Sequence, residues 1–294
     1  MKSIIVHGGC GDEKISEKKM NLMKQGVKQA AEIGMKKLNK GLSAVDTVEE
    51  TIKYLEDDPV FDAGTGSFYN LLGEIEMDAS IMTGRGETGA VACIQGVQHP
   101  VSVARKVMEE LPHILLAGEG AKLFARSLGI PEYDPSHPDS KRFLQENIDN
   151  LSPDMENFRK KYQKIREEQN IFSTVGVVVL DKQGLLTAGT STGGILQKLP
   201  GRIGDTPIIG AGTYAAPEGA VSATGMGEGI IKLSVSRQVV EFLKNGMKIQ
   251  EACEKIIEEA DKQKITCGVI ALDDKGTPGI AYNGKHMTYY SLNN

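Results

Sequence analysis

The sequence lacks several features that would each have assigned it to a broad class. No uninterrupted apolar stretch approaches the roughly 18 residues of a membrane helix. The opening "MKSIIVHGGCG" has too short an apolar core for a signal peptide, so a cytoplasmic protein that does not enter a membrane is expected. Positive charge is not in excess: 34 lysines and arginines against 39 acidic residues give a formal net charge of -5, which leaves no basic field to hold a nucleic-acid backbone. Cysteine is scarce. Cys10, Cys93, Cys253 and Cys267 stand alone, without C-x-x-C or Cys/His spacing, so neither a zinc site nor a disulfide scaffold is expected and buried thiols are. Tryptophan is missing altogether, whereas 34 glycines are present, and glycine concentrates where the backbone must turn or approach a ligand.

What is present is a chain of 294 residues, long enough for one large core or two smaller ones. "SIIVHGG" reads as a short buried strand, followed by a lysine-rich helix from Ser16 to Asn39. "LSAVDTVEETIKYLEDDP" sets Val45, Val48, Ile52 and Leu55 on one helical face, with Ser43 and Asp46 as a capping pair and Pro59 at its end. "GEIEMDASIMTG" predicts a strand; "HPVSVARKVMEELP" and "ILLAGEGAKLFARSLG" predict helices. From 131 to 170 prolines and then dense charge suggest a mobile or partly helical connector. Strands are expected at "STVGVVVLD", "LLTAGTST", "PIIGAGTYA", "GAVSATG", "ITCGVIALDD" and "GIAYN", and helices at "EGIIKLSVSRQVVEFLKNG" and "KIQEACEKIIEEADKQ". Strands followed by helices in both halves indicate sheets covered by helices, a layered α/β or α+β architecture, without an internal repeat.

Thr174 heads the β-branched run "TVGVVVL", directly after the polar connector. A threonine hydroxyl is a poor nucleophile until a base takes its proton, and no histidine lies near it in sequence. Cutting the Ser173–Thr174 bond would supply one: a free α-amine with a pKa of about 7.7–8.0, near enough to neutral to serve as base for its own hydroxyl. Taken alone, a threonine at the head of a strand is more simply packing.

Other stretches raise similar pairs of readings. "GRIGDTP" places Arg202 and Asp205 three apart between glycines, either a surface ion pair in a turn or a guanidinium fork and a carboxylate aimed at a ligand carrying both a carboxylate and an ammonium. In "GTSTGG", Thr192 is a strand-end hydroxyl bonding local backbone or a partner of the nucleophile. "SATGMGEGII" is a glycine-spaced turn where N–H groups converge on negative charge, but no G-x-x-x-x-G-K-[ST] accompanies it, which argues against a nucleotide loop.

Taken in order along the chain, "HGGCG", "EDDPVFDAGTGS", "MDASIMTG", "STVGVVVLD", "GTSTGG", "GRIGDTPIIGAGTYA" and "GAVSATGMGEG" resemble the plant-type asparaginase and isoaspartyl aminopeptidase family of N-terminal-nucleophile hydrolases. The resemblance implies an α+β fold, a four-layer αββα sandwich, made as a precursor and autocleaved into an α subunit of residues 1–173 and a β subunit of 174–294. It implies Thr174 as nucleophile and Thr192 as the group that orients it. Thr224 and the Gly225 N–H would form the oxyanion hole, and Arg202 and Asp205 would hold the substrate's α-carboxylate and α-amine. His7, Gly8 and Gly9 would line the nucleophile region. Carbonyls of Leu55, Glu56, Asp58 and Phe61 would hold a structural sodium ion, and no other cofactor is required. The implied substrates are asparagine and β-aspartyl dipeptides, and the implied assembly is a homodimer of αβ units.

The sequence departs from the family pattern at four places. Ser173 stands where glycine is usual, Thr83 where aspartate is, Met226 where histidine is, and Asp62 where asparagine is. A side chain at 173 bears on the speed of cleavage, and Asp62 is expected to add negative charge near the nucleophile. Two other readings are compatible with the motifs: a glycosylasparaginase, against which "HGG" and "TSTGG" argue, and an unprocessed, non-catalytic aspartyl-binding protein.

Overall fold

A computed structural model describes residues 1–138 and 174–294. Its strands form two sheets. The first contains β1 (Ser3–Gly11), β2 (Met77–Thr83), β3 (Thr88–Ile94), β4 (Leu115–Ala117), β5 (Val175–Leu180), β6 (Leu186–Thr192) and β11 (His286–Asn293), in the order β11-β1-β5-β6-β2-β3-β4. The second contains β7 (Thr213–Ala216), β8 (Gly219–Gly225), β9 (Cys267–Asp273) and β10 (Pro278–Tyr282), in the order β10-β9-β8-β7. All neighbours are antiparallel except β3 and β4.

Three apolar layers separate four structural ones. Helices α1 (Glu17–Asn39), α2 (Ala44–Asp57) and α3 (Pro100–Glu110) cover the outer face of the first sheet. Helices α6 (Val235–Lys244) and α7 (Ile249–Lys262) cover that of the second. Between the sheets lies a third cluster. The alternation along single strands builds this directly: on β5, Val175, Val177 and Val179 face the helices, while Val178 and Leu180 face the other sheet. A strand buried on both faces reads as a continuous apolar run, and each such side chain contributes about 1.5–3 kcal/mol on burial. The expected four-layer αββα sandwich is thus the observed one.

Local signals account for most boundaries. Ser16 caps α1 by accepting from the Lys19 N–H at 3.2 Å, and Ser43 caps α2 by accepting from the Asp46 N–H at 3.1 Å. Val48, Ile52 and Leu55 are fully buried, and Val45 partly so.

Several expectations are corrected. "ILLAGEG" does not begin a helix: Leu115–Ala117 pairs in parallel with β3, and α4 (Gly118–Ser127) starts only after the turn at Gly118, φ +53°. "PIIGAG" is not a strand: Ile208 and Gly212 both donate backbone N–H groups to the Asp205 carbonyl, which curls the chain until Thr213. The helix predicted from Glu228 is two, α5 (Gly227–Leu233) and α6, broken where Ser234 adopts a left-handed conformation, φ +49°. Strands β3 and β11 were not anticipated. Of the connector expected at 131–170, the described part is tied down: Tyr133 N donates to the Gly96 carbonyl at 3.1 Å and its hydroxyl lies 3.3 Å from Thr65 Oγ1. The remainder and Ser173 lie outside the described residues.

Candidate active site

Strand register brings the expected threonines together. β5 and β6 pair with Val175 opposite Ser191, so Thr174 falls opposite Thr192. Their hydroxyl oxygens are 3.4 Å apart, and Thr192 Oγ1 also accepts from the Gly194 N–H at 2.9 Å. Thr174 is only 5% exposed.

β1 lies beside β5 and carries His7 opposite Gly176. His7 is fully buried; desolvation lowers its pKa to about 3 against an opposing backbone hydrogen bond to Thr174, so the ring is neutral. The glycines of "HGGCG" have a steric reason. Gly9 has φ +111° where the pairing of β1 with β11 slips, and a Cβ at Gly8 would lie 2.4 Å from the Phe61 ring. The slipped strand passes its Cys10 N–H to Thr224 Oγ1 at 3.3 Å. Thr224, buried at the end of β8, keeps its own proton to donate. Gly225 has φ +134°, and a side chain there would meet the Thr266 carbonyl at 2.4 Å, so only glycine lets β8 turn out at this point.

The charged half of the site sits on the loop after β6. Arg202 presents Nε and Nη2 to the Glu228 carboxylate at 3.1 and 3.0 Å, a bidentate pair in which Glu228 takes the place a carboxylate ligand could take. Asp205 is buried, and burial raises its pKa to about 7 against the pull of Arg202. Its Oδ2 has no hydrogen-bond partner. Cβ positions built on Gly227 and Gly204 would fall 2.8 Å from Arg202 nitrogens, and the one on Gly227 would fall 3.0 Å from Asp205 Oδ1 as well. The two side chains therefore flank one glycine turn, as the spacing in "GRIGDTP" implied.

Residues not singled out from the sequence hold this loop. The Glu76 carboxylate accepts from the Gly201 N–H at 3.0 and 3.1 Å. Asp78, on β2, accepts from the Cys93 N–H at 2.7 Å and from the backbone of Gly204. Lys198 is fully buried and donates to the Glu76 carbonyl at 2.7 Å. Asp78 lay inside a recognised motif, whereas nothing local marks Lys198 as an interior cation.

Asp62 requires a correction. It lies beside the Thr192–Gly194 turn: its carbonyl accepts from the Gly193 N–H at 2.9 Å, and Oδ1 accepts from the Phe68 N–H at 2.8 Å. Burial raises its pKa to about 8, opposed by the Phe68 hydrogen bond and by Lys198, Lys19 and Arg202. At neutral pH it holds a proton and adds no negative charge. Glu56 behaves alike: burial raises it to about 8, while Ser191 donates to Oε1 at 2.6 Å.

The segment Leu55–Phe61 comprises the last turn of α2 and the loop that follows it. The Leu55 and Asp58 carbonyls accept N–H groups from Asp58 and Phe61 at 3.3 and 3.2 Å. Cβ atoms on Gly64 and Gly66 would come within 2.3 Å of the Glu56 carbonyl and 1.9 Å of the Phe61 carbonyl. No basic residue sits in the last turn of α2 to balance its carbonyls. Neutral oxygens in that setting fit a monovalent hard cation. Among the described residues no group of three or more His, Cys, Asp or Glu is arranged for a metal.

A sandwich with a threonine at the head of a central strand and a hydroxyl partner opposite it is the architecture of an N-terminal-nucleophile hydrolase. Family comparison matches residues 1–294 to the asparaginase family Asparaginase_2, and the chain belongs to that family. It is 48% identical over 294 residues to a plant-type L-asparaginase of Pyrococcus abyssi, covering 98% of this chain and 95% of that protein. It is 43% identical over 253 residues to an isoaspartyl peptidase/L-asparaginase of Homo sapiens, covering 85% and 80%. With the corresponding protein of Bos taurus it shares 39% identity over 289 residues, covering 97% and 91%.

Proposed function

We propose that this hydrolase is a threonine amidohydrolase that cleaves L-asparagine and β-aspartyl dipeptides to release L-aspartate. The observation that carries the reading is the Thr174–Thr192 pair, set by strand register at the head of β5 and the end of β6.

In the uncut chain the Thr174 nitrogen is an amide and has no basic lone pair. The Thr174 hydroxyl first attacks the Ser173 carbonyl, the C–N bond breaks, and the resulting ester is hydrolysed by water. Residues 1–173 then end in a carboxylate and 174–294 begin with a free amine. That amine takes the proton of its own hydroxyl as Oγ1 attacks the side-chain carbonyl of the substrate. Thr224 Oγ1–H and the Gly225 N–H stabilise the oxyanion. The proton passes to the departing ammonia or amino acid, and water cleaves the β-aspartyl ester. Arg202 receives the α-carboxylate and Asp205 the α-ammonium. Asp205 starts near half-protonated at pH 7, and the arriving cation favours its carboxylate form.

A sodium ion at the carbonyls of Leu55, Glu56, Asp58 and Phe61 would rigidify the loop that ends at Asp62 and would take no part in bond making. The four cysteines are free and buried, which suits a reducing cytoplasm, and no described helix is long and apolar enough to cross a membrane. A homodimer of cleaved units completes the proposal. The test is N-terminal sequencing of the smaller fragment after incubation, with ammonia release from asparagine and from β-aspartyl dipeptides assayed alongside. A fragment beginning at Thr174 and turnover appearing together support the reading; a single persistent chain that binds aspartate without turnover overturns it and favours a non-catalytic binder.

A further inference from the structure

A short stretch leading into β9, residues 265–267, is clamped by two polar side chains that no step above uses. Asn283 holds its two ends: Oδ1 accepts from the Cys267 N–H at 2.8 Å, and Nδ2 donates to the Ile265 carbonyl at 2.8 Å. Asp12 holds the residue between them. Its Oδ2 accepts from the Thr266 hydroxyl at 2.7 Å and its Oδ1 from the Lys285 N–H at 3.1 Å, while Lys285 Nζ donates to the Asp12 carbonyl at 3.1 Å. A Cβ built on Gly284, between Asn283 and Lys285, would lie 2.9 Å from the Gly11 carbonyl oxygen, so this turn packs on the end of β1 that Asp12 follows. The hydrogen bonds to the Asp12 carboxylate are of the charge-assisted kind and have unambiguous donors.

What the clamp holds in place is the Thr266 carbonyl. It accepts from the Met226 N–H at 2.8 Å, and a Cβ on Gly225 would meet it at 2.4 Å. Along a paired strand successive N–H groups point to opposite edges. β8 pairs with β9 as far as Gly225 opposite Cys267, and the Met226 N–H is taken on the β9 side, so the Gly225 N–H points to the other edge. On that edge Ala223 gives its N–H to the Gly212 carbonyl, and Gly212 donates in turn to the Asp205 carbonyl. The proposed oxyanion donor is thus directed away from β9, and the bond from the next residue to Thr266 holds it so. Thr224, its companion, accepts from the Cys10 N–H at 3.3 Å, two residues before Asp12. Residues 10–12 therefore serve both oxyanion groups.

We propose that Asp12 and Thr266 are positioning residues for the amidohydrolase reaction: their hydrogen bond fixes the Thr266 carbonyl and, through Met226, the direction of the Gly225 N–H that stabilises the oxyanion. The proposal rests on the amidohydrolase reading and on Thr224 and Gly225 as its oxyanion groups. The oxyanion forms only as the nucleophile attacks, so a loosened donor weakens the transition state and leaves binding by Arg202 and Asp205 as it was. Outright removal of one such donor costs about 10²–10³ in kcat, and a donor that remains but is no longer aimed costs less, about tenfold.

The test uses the full-length protein, with kcat expressed per chain cleaved at 173–174. Asp12→Ala and Thr266→Val should each lower kcat about tenfold for asparagine and for a β-aspartyl dipeptide alike, since both pass through the same oxyanion, with KM changed less than about twofold. Thr266→Ser keeps the hydroxyl and should restore kcat. The double variant should be no worse than either single one, because both act through one bond. Amide hydrogen exchange at Met226 reads the clamp without turnover: protection should fall in both single variants and return in Thr266→Ser. Should Asp12→Ala fail to fold, Thr266→Val carries the same test. Wild-type kcat or unchanged Met226 protection in Thr266→Val, a raised KM with kcat kept, or a double variant down about a hundredfold overturns the proposal. A wild type that turns over neither substrate overturns the amidohydrolase reading itself, and the catalytic role of the clamp with it.

Discussion

The two halves of the site are built by different means. The nucleophile half consists of neutral groups on regular strands: Thr174 and Thr192 opposed by β5–β6 register, with His7 held neutral by burial. The recognition half consists of ionisable groups: Arg202 and Asp205 on the irregular segment between β6 and β7, supported by Lys198 on the same segment, by Glu76 just before β2 and by Asp78 on β2. Strand register places a hydroxyl without charge, so the first half responds to removal of single atoms, and in the proposed mechanism the only group in it that titrates near neutrality is the α-amine released at Thr174. A loop that aims charges needs counter-charges under it, so the second half responds to pH and to the geometry of each ionic pair.

The largest effect should come from the nucleophile half. Thr174→Ala removes the hydroxyl needed both for chain cleavage and for turnover, so the protein should remain a single chain on a denaturing gel with no detectable ammonia release, while melting near the wild-type temperature. Cleavage between 173 and 174 in that variant would mean that another group attacks the bond. In the recognition half, Arg202→Lys keeps the charge and loses the planar fork. The cost is on the order of a hundredfold in kcat/KM, corresponding to about 2–3 kcal/mol for a charge-assisted pair, with cleavage at 173–174 proceeding at nearly the wild-type rate. Equal loss of both would assign Arg202 to folding.

This division also explains what could be read in advance. Helix faces and caps and the doubly buried run of β5 rest on local pattern and were legible, whereas Thr174, Thr192, Arg202 and Asp205 were singled out by the resemblance of their motifs to a family, their local spacing alone being equally compatible with packing or a surface ion pair. The strand β11 was not, because its exposed Tyr289 and half-buried Tyr290 and Leu292 blur the alternation that marks a half-buried strand. Lys198 was not, because a lysine is ordinarily at the surface, and only the fold brings the Glu76 carbonyl to its ammonium. The charge state of Asp62 was misread for a related reason: spacing locates a carboxyl near the nucleophile, but its protonation follows from burial, a property of the assembled fold.

Asp205 gives the comparison a pH axis. Its pKa is raised to about 7 by burial, and the proposed binding form is the carboxylate, so kcat/KM should fall by up to about tenfold per pH unit below neutrality as the proton is taken up. Asp205→Asn should raise KM by about one order of magnitude and make the fall below neutrality less steep, the remaining limb being that of the Thr174 α-amine with its ordinary pKa of about 7.7–8.0. An unchanged steepness would assign the whole limb to that amine.

Asp62 should report through stability. Its folded pKa of about 8 lies above the unfolded value of about 3.9, so its contribution is fully present below that unfolded value and is lost as pH rises through 8. Asp62→Asn keeps an Oδ1 to accept from Phe68 and cannot ionise. Its melting temperature should therefore gain on wild type progressively between about pH 4 and 8, the window between the two pKa values. A constant difference across that range would mean that Asp62 is ionised throughout in the folded protein.

The smallest effect is expected at Glu228, the ionic partner of Arg202. Its carboxylate engages Nε and Nη2 of Arg202, which leaves the Nη1 and Nη2 edge of the same guanidinium for a second carboxylate. Glu228 is about half exposed, so solvent screens the pair and its role is chiefly to hold the fork's orientation. Glu228→Gln retains one acceptor for the guanidinium but loses the charge and the symmetric bidentate grip. KM for asparagine should rise about threefold with kcat nearly unchanged, a loss of roughly 0.7 kcal/mol. The kinetic split matters more than its size: a fall in KM would show that Glu228 competes with the substrate's carboxylate for the fork, and a fall in kcat alone would move Glu228 from the recognition half of the site to the nucleophile half.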